Sequence, residues 1–211
     1  AMSGSGRMTS WARDNYVAQE FSKVTECRLR PLAPELPNAG RWIGQFILTS
    51  TLQGEVAPEW RAVYFAILRR AEGAVEDFDA AAAALNAFVS DERRPASTYF
   101  RILRLLQGTV ANTYQALEFA SKAFGVKHHE RGDGSKYQRL GAIYNASRHG
   151  DPLNLPVGHP QIDWITNEGL HAYDGKNWSG AISFEELREL VAEIGRLAEP
   201  ISSGRRDPLP G

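Results

Sequence analysis

The stretch "IYNASRHGD" (residues 143–151) holds the residues whose types and spacing suit chemistry. Asn145, Arg148, His149 and Asp151 fall within seven residues, just before Pro152 breaks the pattern. An imidazole can move a proton, and a guanidinium can hold developing negative charge. On a helix, Asn145 and His149 are i, i+4 and share a face, while Arg148 is turned about 100° from His149. Tyr144 stands four residues before Arg148, which sets up a Tyr–Arg stacking pair. The same residues also make a good helix end. Arg148 and His149 in a last turn complement the helix dipole, Gly150 is placed to cap it, and Asn145 can tie the following loop to the helix.

Other polar clusters carry less. His128 and His129 lie beside Glu130 and Asp133, but adjacent histidines point to different sides of the backbone and lack the i, i+4 spacing of helical metal ligands. They read as part of a solvated loop, and no metal is expected. His159 and His171 sit in turn-rich segments and read as loop or capping residues. Cys27, in "VTECRLR", has no basic neighbourhood to make it a nucleophile and reads as inert. There is no G-x-S-x-G, P-loop, H-E-x-x-H or dinucleotide-binding glycine pattern, so no cofactor is expected.

The elements that must position these residues are mostly helical. Residues 11–26 suggest a short helix with Trp11, Tyr16, Val17, Phe21 and Val24 as its apolar positions. "RPLAPELPNAG" (30–40) carries three prolines and reads as a linker or extended arm. "RWIGQFILTSTL" (41–52) is apolar but short, and helix and strand both stay open there. From Pro58 to Val89, residues Trp60, Val63, Ile67, Ala71, Ala74 (or Val75), Phe78, Ala82, Leu85 and Val89 recur at helical steps, with Pro58 in the first turn. From Ala96 to Phe124 a second pattern runs through Tyr99, Leu103, Leu106, Val110, Tyr114 (or Thr113), Leu117, Ala120 and Phe124, and Gly125 stops it. Two long helices with a short connection predict an antiparallel hairpin.

A third helix follows over 135–150, with Ser135 as N-cap and Tyr137, Leu140, Ile143 (or Tyr144) and Ala146 (or Ser147) inward. "DPLNLPVGHP" is a run of turns, and 163–183 suggests a short hairpin or an irregular loop. Residues 183–199 form the cleanest helix, with Ser183 and Glu186 at capping-box spacing and Leu187, Leu190 (or Val191), Ile194 and Leu197 on one face. The expected fold is therefore all-α. It is an up-down antiparallel helical bundle with a small loop or hairpin insertion near 151–182, forming one domain over 11–199. Residues 200–211 are expected to be a flexible tail. "AMSGSGR" reads as a cloning remnant ahead of Met8, and residues 1–10 are left out of the fold.

Composition narrows the function classes. The 211-residue chain is 43% hydrophobic and 10% aromatic, enough for a real core. Its formal charge of −1 gives no global basic field, so any nucleic-acid contact must come from a local patch. A single cysteine excludes a disulfide framework and suits a reducing cytosol. No apolar run approaches the ~18 residues of a membrane span, and no membrane partner is expected.

Two long antiparallel helices followed by a shorter one ending in N-x-x-x-H resemble the HEPN superfamily of helical bundles. The likeness covers residues 58–150. Ribonuclease members of that family carry R-x4-6-H, often as R-N-x-x-x-H, and bring two motifs together by dimerisation to cleave RNA without metal. The resemblance assigns the motif Asn to Asn145 and the motif His to His149. Position 144, where the motif Arg belongs, holds Tyr144. Arg148 is one residue from His149 and Arg139 ten residues before it, so each departs from the usual spacing. The segment from "DWITNEGL" to "ISFEELRELVAEI" also resembles tails of bacterial proteins bearing such a helix.

Three readings follow. In the first, favoured by the missing Arg and the neutral charge balance, the chain is a non-catalytic HEPN-like binding or regulatory module of a bacterial defence, toxin–antitoxin or RNA-associated system. It is then a homodimer with RNA or a protein as partner, and the 145–151 cluster is tied up internally. In the second it is a metal-independent ribonuclease using His149 as acid and base, with Asn145 and with Arg148 or Arg139 on phosphate. Arg139, Tyr144 and Asp151 then contact substrate. In the third, Trp164, Tyr173 and Trp178 line a small-molecule pocket, and exposure of these rings is what that reading requires.

Overall fold

A computed structural model describes residues 24–52, 54, 56–127, 132–150, 163–173 and 178–204. The expected helix over 11–26 lies almost wholly outside the described residues. So do His128, His129, Glu130, Asp151, the turns at 152–160 with His159, and the chain beyond 204.

The first helix, α1, spans Trp42–Ile47 and runs into a π-helical turn, Leu48–Leu52. That settles the helix-or-strand ambiguity of 41–52 in favour of helix. The long pair follows as α2, Pro58–Ser90, and α3, Ala96–Phe124. Gly125 ends α3 in the left-handed region at φ 69°, a conformation that glycine adopts at little cost. The two helices run antiparallel, as the contacts between them show. Phe88 meets Tyr99 near the connection, Asp77 meets Asn112 in the middle, and Tyr64 meets Phe124 at the far end.

The buried stripe of α2 shifts at its ends. Tyr64 and Phe88 are buried, whereas Trp60 is 40% exposed. Tyr64 takes the inward place because it packs among Phe46, Trp60 and Phe124. On α3 the inward residue is Thr113, which leaves Tyr114 half-buried at the edge.

Helix α4, Lys136–His149, begins at the expected N-cap, where Ser135 Oγ accepts from the Gln138 amide. Gly150 closes the helix as expected, donating to the Ala146 carbonyl, at φ −59°, ψ 139° and so outside the left-handed region.

The fold is predominantly helical but not all-α. The segment expected as an insertion is a three-stranded antiparallel sheet of β1, Asp163–Ile165, β2, Gly169–Tyr173, and β3, Trp178–Ser183, in that order. Register pairs Asp163 with Ala172, Ile165 with Leu170, and Leu170 with Ile182. Side chains alternate along a strand, so Asp163, Ile165, Leu170, Ala172 and Ile182 share one face, and all are buried. That face packs on α4, and the sheet is therefore part of the core.

The last helix, α5, spans Phe184–Ser202 and starts with the predicted capping box: Ser183 Oγ accepts from the Glu186 amide, and the Glu186 carboxylate accepts from the Ser183 amide. It packs against α1, α2 and α3. It also continues past Pro200 to bury Ile201 and Ser202, two residues that belong to the expected flexible tail. A proline in the last turn removes one helical bond, which apolar burial offsets.

The proline-rich arm packs back on the helices. Leu32, Leu36, Ala39 and Trp42 are buried, and Asp79 accepts from the amides of Leu32 and Ala33. Asn86 bonds both backbone groups of Leu29. Arg188, 8% exposed, pairs with Glu35, and Glu199 accepts from Trp42 Nε1 at 2.7 Å.

Candidate functional site

The end of α4 divides into an inner and an outer set. Tyr144 turns toward α3, where its ring stacks on Tyr114 with centroids 4.5 Å apart. Its hydroxyl accepts from Gln115 Nε2 at 3.1 Å and from Arg148 Nη1 at 2.5 Å. The Arg148 guanidinium lies 5.9 Å from the Tyr144 ring centroid, so the pair expected from their spacing is formed, but through the hydroxyl at the ring's edge and not by stacking on its face. Ser147 points inward and donates to Asp163 Oδ1 at 2.9 Å. Asn145 and His149 form the outer set. Both are exposed, and their side chains have no hydrogen-bond partner among the described residues.

Arg139 does not belong to this group. It binds the Gly134 carbonyl and the Glu186 carboxylate, clamping the start of α4 to the start of α5. Ten residues of helix place it about 15 Å along the axis from His149. Asp151 lies outside the described residues.

Sequence reasoning missed the polar layer beneath this edge. Asn112 bridges α2 and α3: its Oδ1 accepts from Arg70 Nη1 at 3.0 Å, and its Nδ2 donates to Asp77 Oδ2 at 3.1 Å. Two mid-helix glycines make room for the bridge. A Cβ at Gly73 would stand 2.9 Å from Asn112 Nδ2, and one at Gly108 would collide with the Asp77 carboxylate. Glycine inside a helix costs about 1 kcal/mol relative to alanine, and that cost at Gly73 and Gly108 was the available signal.

A second buried group, Asp163, is 2% exposed and accepts from Gln107 Nε2 at 2.6 Å as well as from Ser147. Register puts it on the core face of the sheet, next to α3 and α4.

The electrostatics follow from these contacts. Burial pushes the Asp163 carboxyl above its usual range, against the opposing hydrogen bonds from Gln107 and Ser147. Burial likewise raises Asp77, with Asn112 opposing it and Glu76 adding to it. At Tyr144, burial favours the neutral phenol, but the bonds from Gln115 and Arg148 and the charges of Arg148 and Arg70 outweigh it, so the hydroxyl titrates below the usual tyrosine range.

Of the remaining candidates, Cys27 and Trp164 are buried. Burial pushes the Cys27 thiol up to about 11, which keeps it protonated near neutrality and unsuited to nucleophilic attack. Trp164 is 8% exposed and stacks on His171 at 5.7 Å, so it is not an open binding surface; Tyr173 is half-buried, and the Trp178 side chain lies outside the described residues. Among the described residues no three His, Cys, Asp or Glu side chains gather to hold a metal, and no helix is long and apolar enough to cross a membrane. No family model, curated protein or solved structure matches the chain.

Proposed function

We propose that this chain is a non-catalytic helical binding module of HEPN-like form, with Asn145, Arg148 and His149 at the end of α4 as its contact edge. The observation that carries this reading is the bond from Arg148 to the Tyr144 hydroxyl at 2.5 Å. Phosphate cleavage by an imidazole needs a cation held where charge develops. The cation adjoining His149 instead turns to the tyrosine that stands at the motif Arg position, on the α3 side of the helix and off the Asn145–His149 face. Arg139, the other candidate, is occupied by Glu186 and Gly134.

The finer parts of the proposal rest on the resemblance and on composition. They are an up-down bundle that pairs with a second copy of itself, a cytoplasmic setting, and RNA or a protein as partner. One observation favours the ribonuclease alternative: Asn145 and His149 are exposed, as a substrate-facing motif requires, and are not tied up internally as the binding reading expects.

Purified protein incubated with mixed RNA in EDTA, beside a His149→Ala variant, separates the two. The binding reading expects no difference in RNA length between them. Cleavage by the wild type that disappears in the variant establishes the ribonuclease. Sedimentation of the same sample is expected to show a dimer, and a strict monomer counts against both HEPN-like readings.

A further inference from the structure

Arg70 and Arg148 come from different helices, α2 and α4, yet both end on one face of α3. Arg70 is bonded to Asn112, and Arg148 to the Tyr144 hydroxyl that Gln115 also holds. Asn112 and Gln115 are three residues apart and so lie side by side on the helix. Arg30, Arg139 and Arg188 each pair with a glutamate, whereas Arg70 and Arg148 have no carboxylate partner among the described residues.

Arg70 is half-buried, and its Nε donor has no acceptor among the described residues. Both guanidinium charges bear on the Tyr144 hydroxyl, and like charges without a counter-ion repel. An anion relieves that repulsion. Asp77, on the far side of Asn112, accepts from the Asn112 amide rather than from either guanidinium.

Neutral donors complete the arrangement. The Gln115 amide carries two N–H groups and gives one to Tyr144. The Tyr144 hydroxyl accepts twice, and its own proton has no acceptor among the described residues.

We propose that the α2–α3–α4 face between Arg70 and Arg148 is an oxyanion site for a phosphate group, with the two arginines on its charge and Gln115 and Tyr144 as neutral donors. A phosphate is preferred to a carboxylate because the donors approach from two helices. A planar carboxylate satisfies one guanidinium fork, whereas a tetrahedral phosphate offers oxygens to both. The proposal rests on the reading of the α4 edge as a binding surface, and it names the chemistry that surface takes.

Thermal unfolding of the full chain tests it with three probes, each compared with sodium chloride at matched ionic strength. The probes are inorganic phosphate, a nucleoside monophosphate, and a short oligoribonucleotide without terminal phosphates. At least one probe is expected to raise Tm through binding to the folded state. Arg70→Gln and Arg148→Gln should each weaken apparent affinity about tenfold or more. Arg30→Gln, at an arginine paired elsewhere, should leave it unchanged.

Circular dichroism checks each variant, and Arg70→Lys replaces Arg70→Gln if the latter unfolds. The lysine keeps the charge but loses the fork, so it too should bind more weakly. Stabilisation by the oligoribonucleotide identifies a backbone phosphodiester as the source, and stabilisation by the small probes alone identifies a free phosphate or monophosphate. No stabilisation beyond chloride, or stabilisation that both arginine variants retain, overturns the proposal. RNA length is a separate readout, so failure here leaves the non-cleaving reading standing, and cleavage sinks that reading without touching the oxyanion site.

Discussion

Asp163 and Ser147 show at the residue scale how a polar group is placed by its neighbours. Strand register turns Asp163 inward, where Gln107 and Ser147 donate to its two oxygens without supplying charge. A carboxyl whose folded-state pKa is raised contributes stability fully below its unfolded value, here 3.8, and that contribution is lost as pH rises through the folded-state value. Asp163→Asn, which keeps an acceptor and removes the titration, should therefore gain stability relative to the wild type as pH rises from about 4 toward neutrality. Urea unfolding at several pH values checks this, and a difference independent of pH would show that burial of the charge is not the cause. Tyr144 and Arg148 were legible as a pair because their spacing is local. The clamp made by Arg139 was not, because its partner Glu186 comes from the next helix, 47 residues on.

Helices and strands differ in how much of them the sequence reveals, and the difference is physical. Helices α2, α3 and α5 bury a continuous stripe over five or more turns, so their periodicity is unmistakable. Helix α1 has only six residues, too few for a period to emerge. The strands are no longer, at three, five and six residues, and their inward set of Ile165, Leu170, Ala172 and Ile182 is visible only once the register is known. The capping box of α5 was legible because it is local, and Ser183→Ala should cost about 1 kcal/mol in urea unfolding. Glu186→Ala should cost more, since it also strands Arg139. Gly169 gives a sharper test of the sheet. A Cβ there would collide with the Ile182 carbonyl oxygen and stand 2.8 Å from Ser183 Cα, both backbone atoms. Gly169→Ala should cost about 3 kcal/mol. Gly195→Ala meets only Leu36 and Trp42 side-chain atoms, the nearest at 2.5 Å, and the helix gains about 1 kcal/mol from alanine. Its cost should be clearly smaller, and equal costs would mean the strand pairing yields more readily than its geometry implies.

For the whole molecule, the long helical hairpin and the α4 edge rest on patterns that residue spacing already carries, whereas the layer joining them does not. Arg70, Asp77, Asn112 and Gln115 interrupt apolar stripes singly, and nothing local says that they meet across helices. The arm at 30–40 is similar, since prolines signal extension, while its docking depends on Asp79, Asn86, Arg188 and Glu199 far along the chain. The central claim, that the α4 edge binds without cleaving, turns on whether His149 works with any cation. The most direct measurement is a single-turnover reaction in EDTA. Protein is in excess over an end-labelled oligoribonucleotide, and the pH series runs from about 5 to 8, where histidines change charge. The account predicts that wild type and His149→Ala leave the oligoribonucleotide equally intact at every pH, and cleavage that depends on His149 at any pH would contradict it.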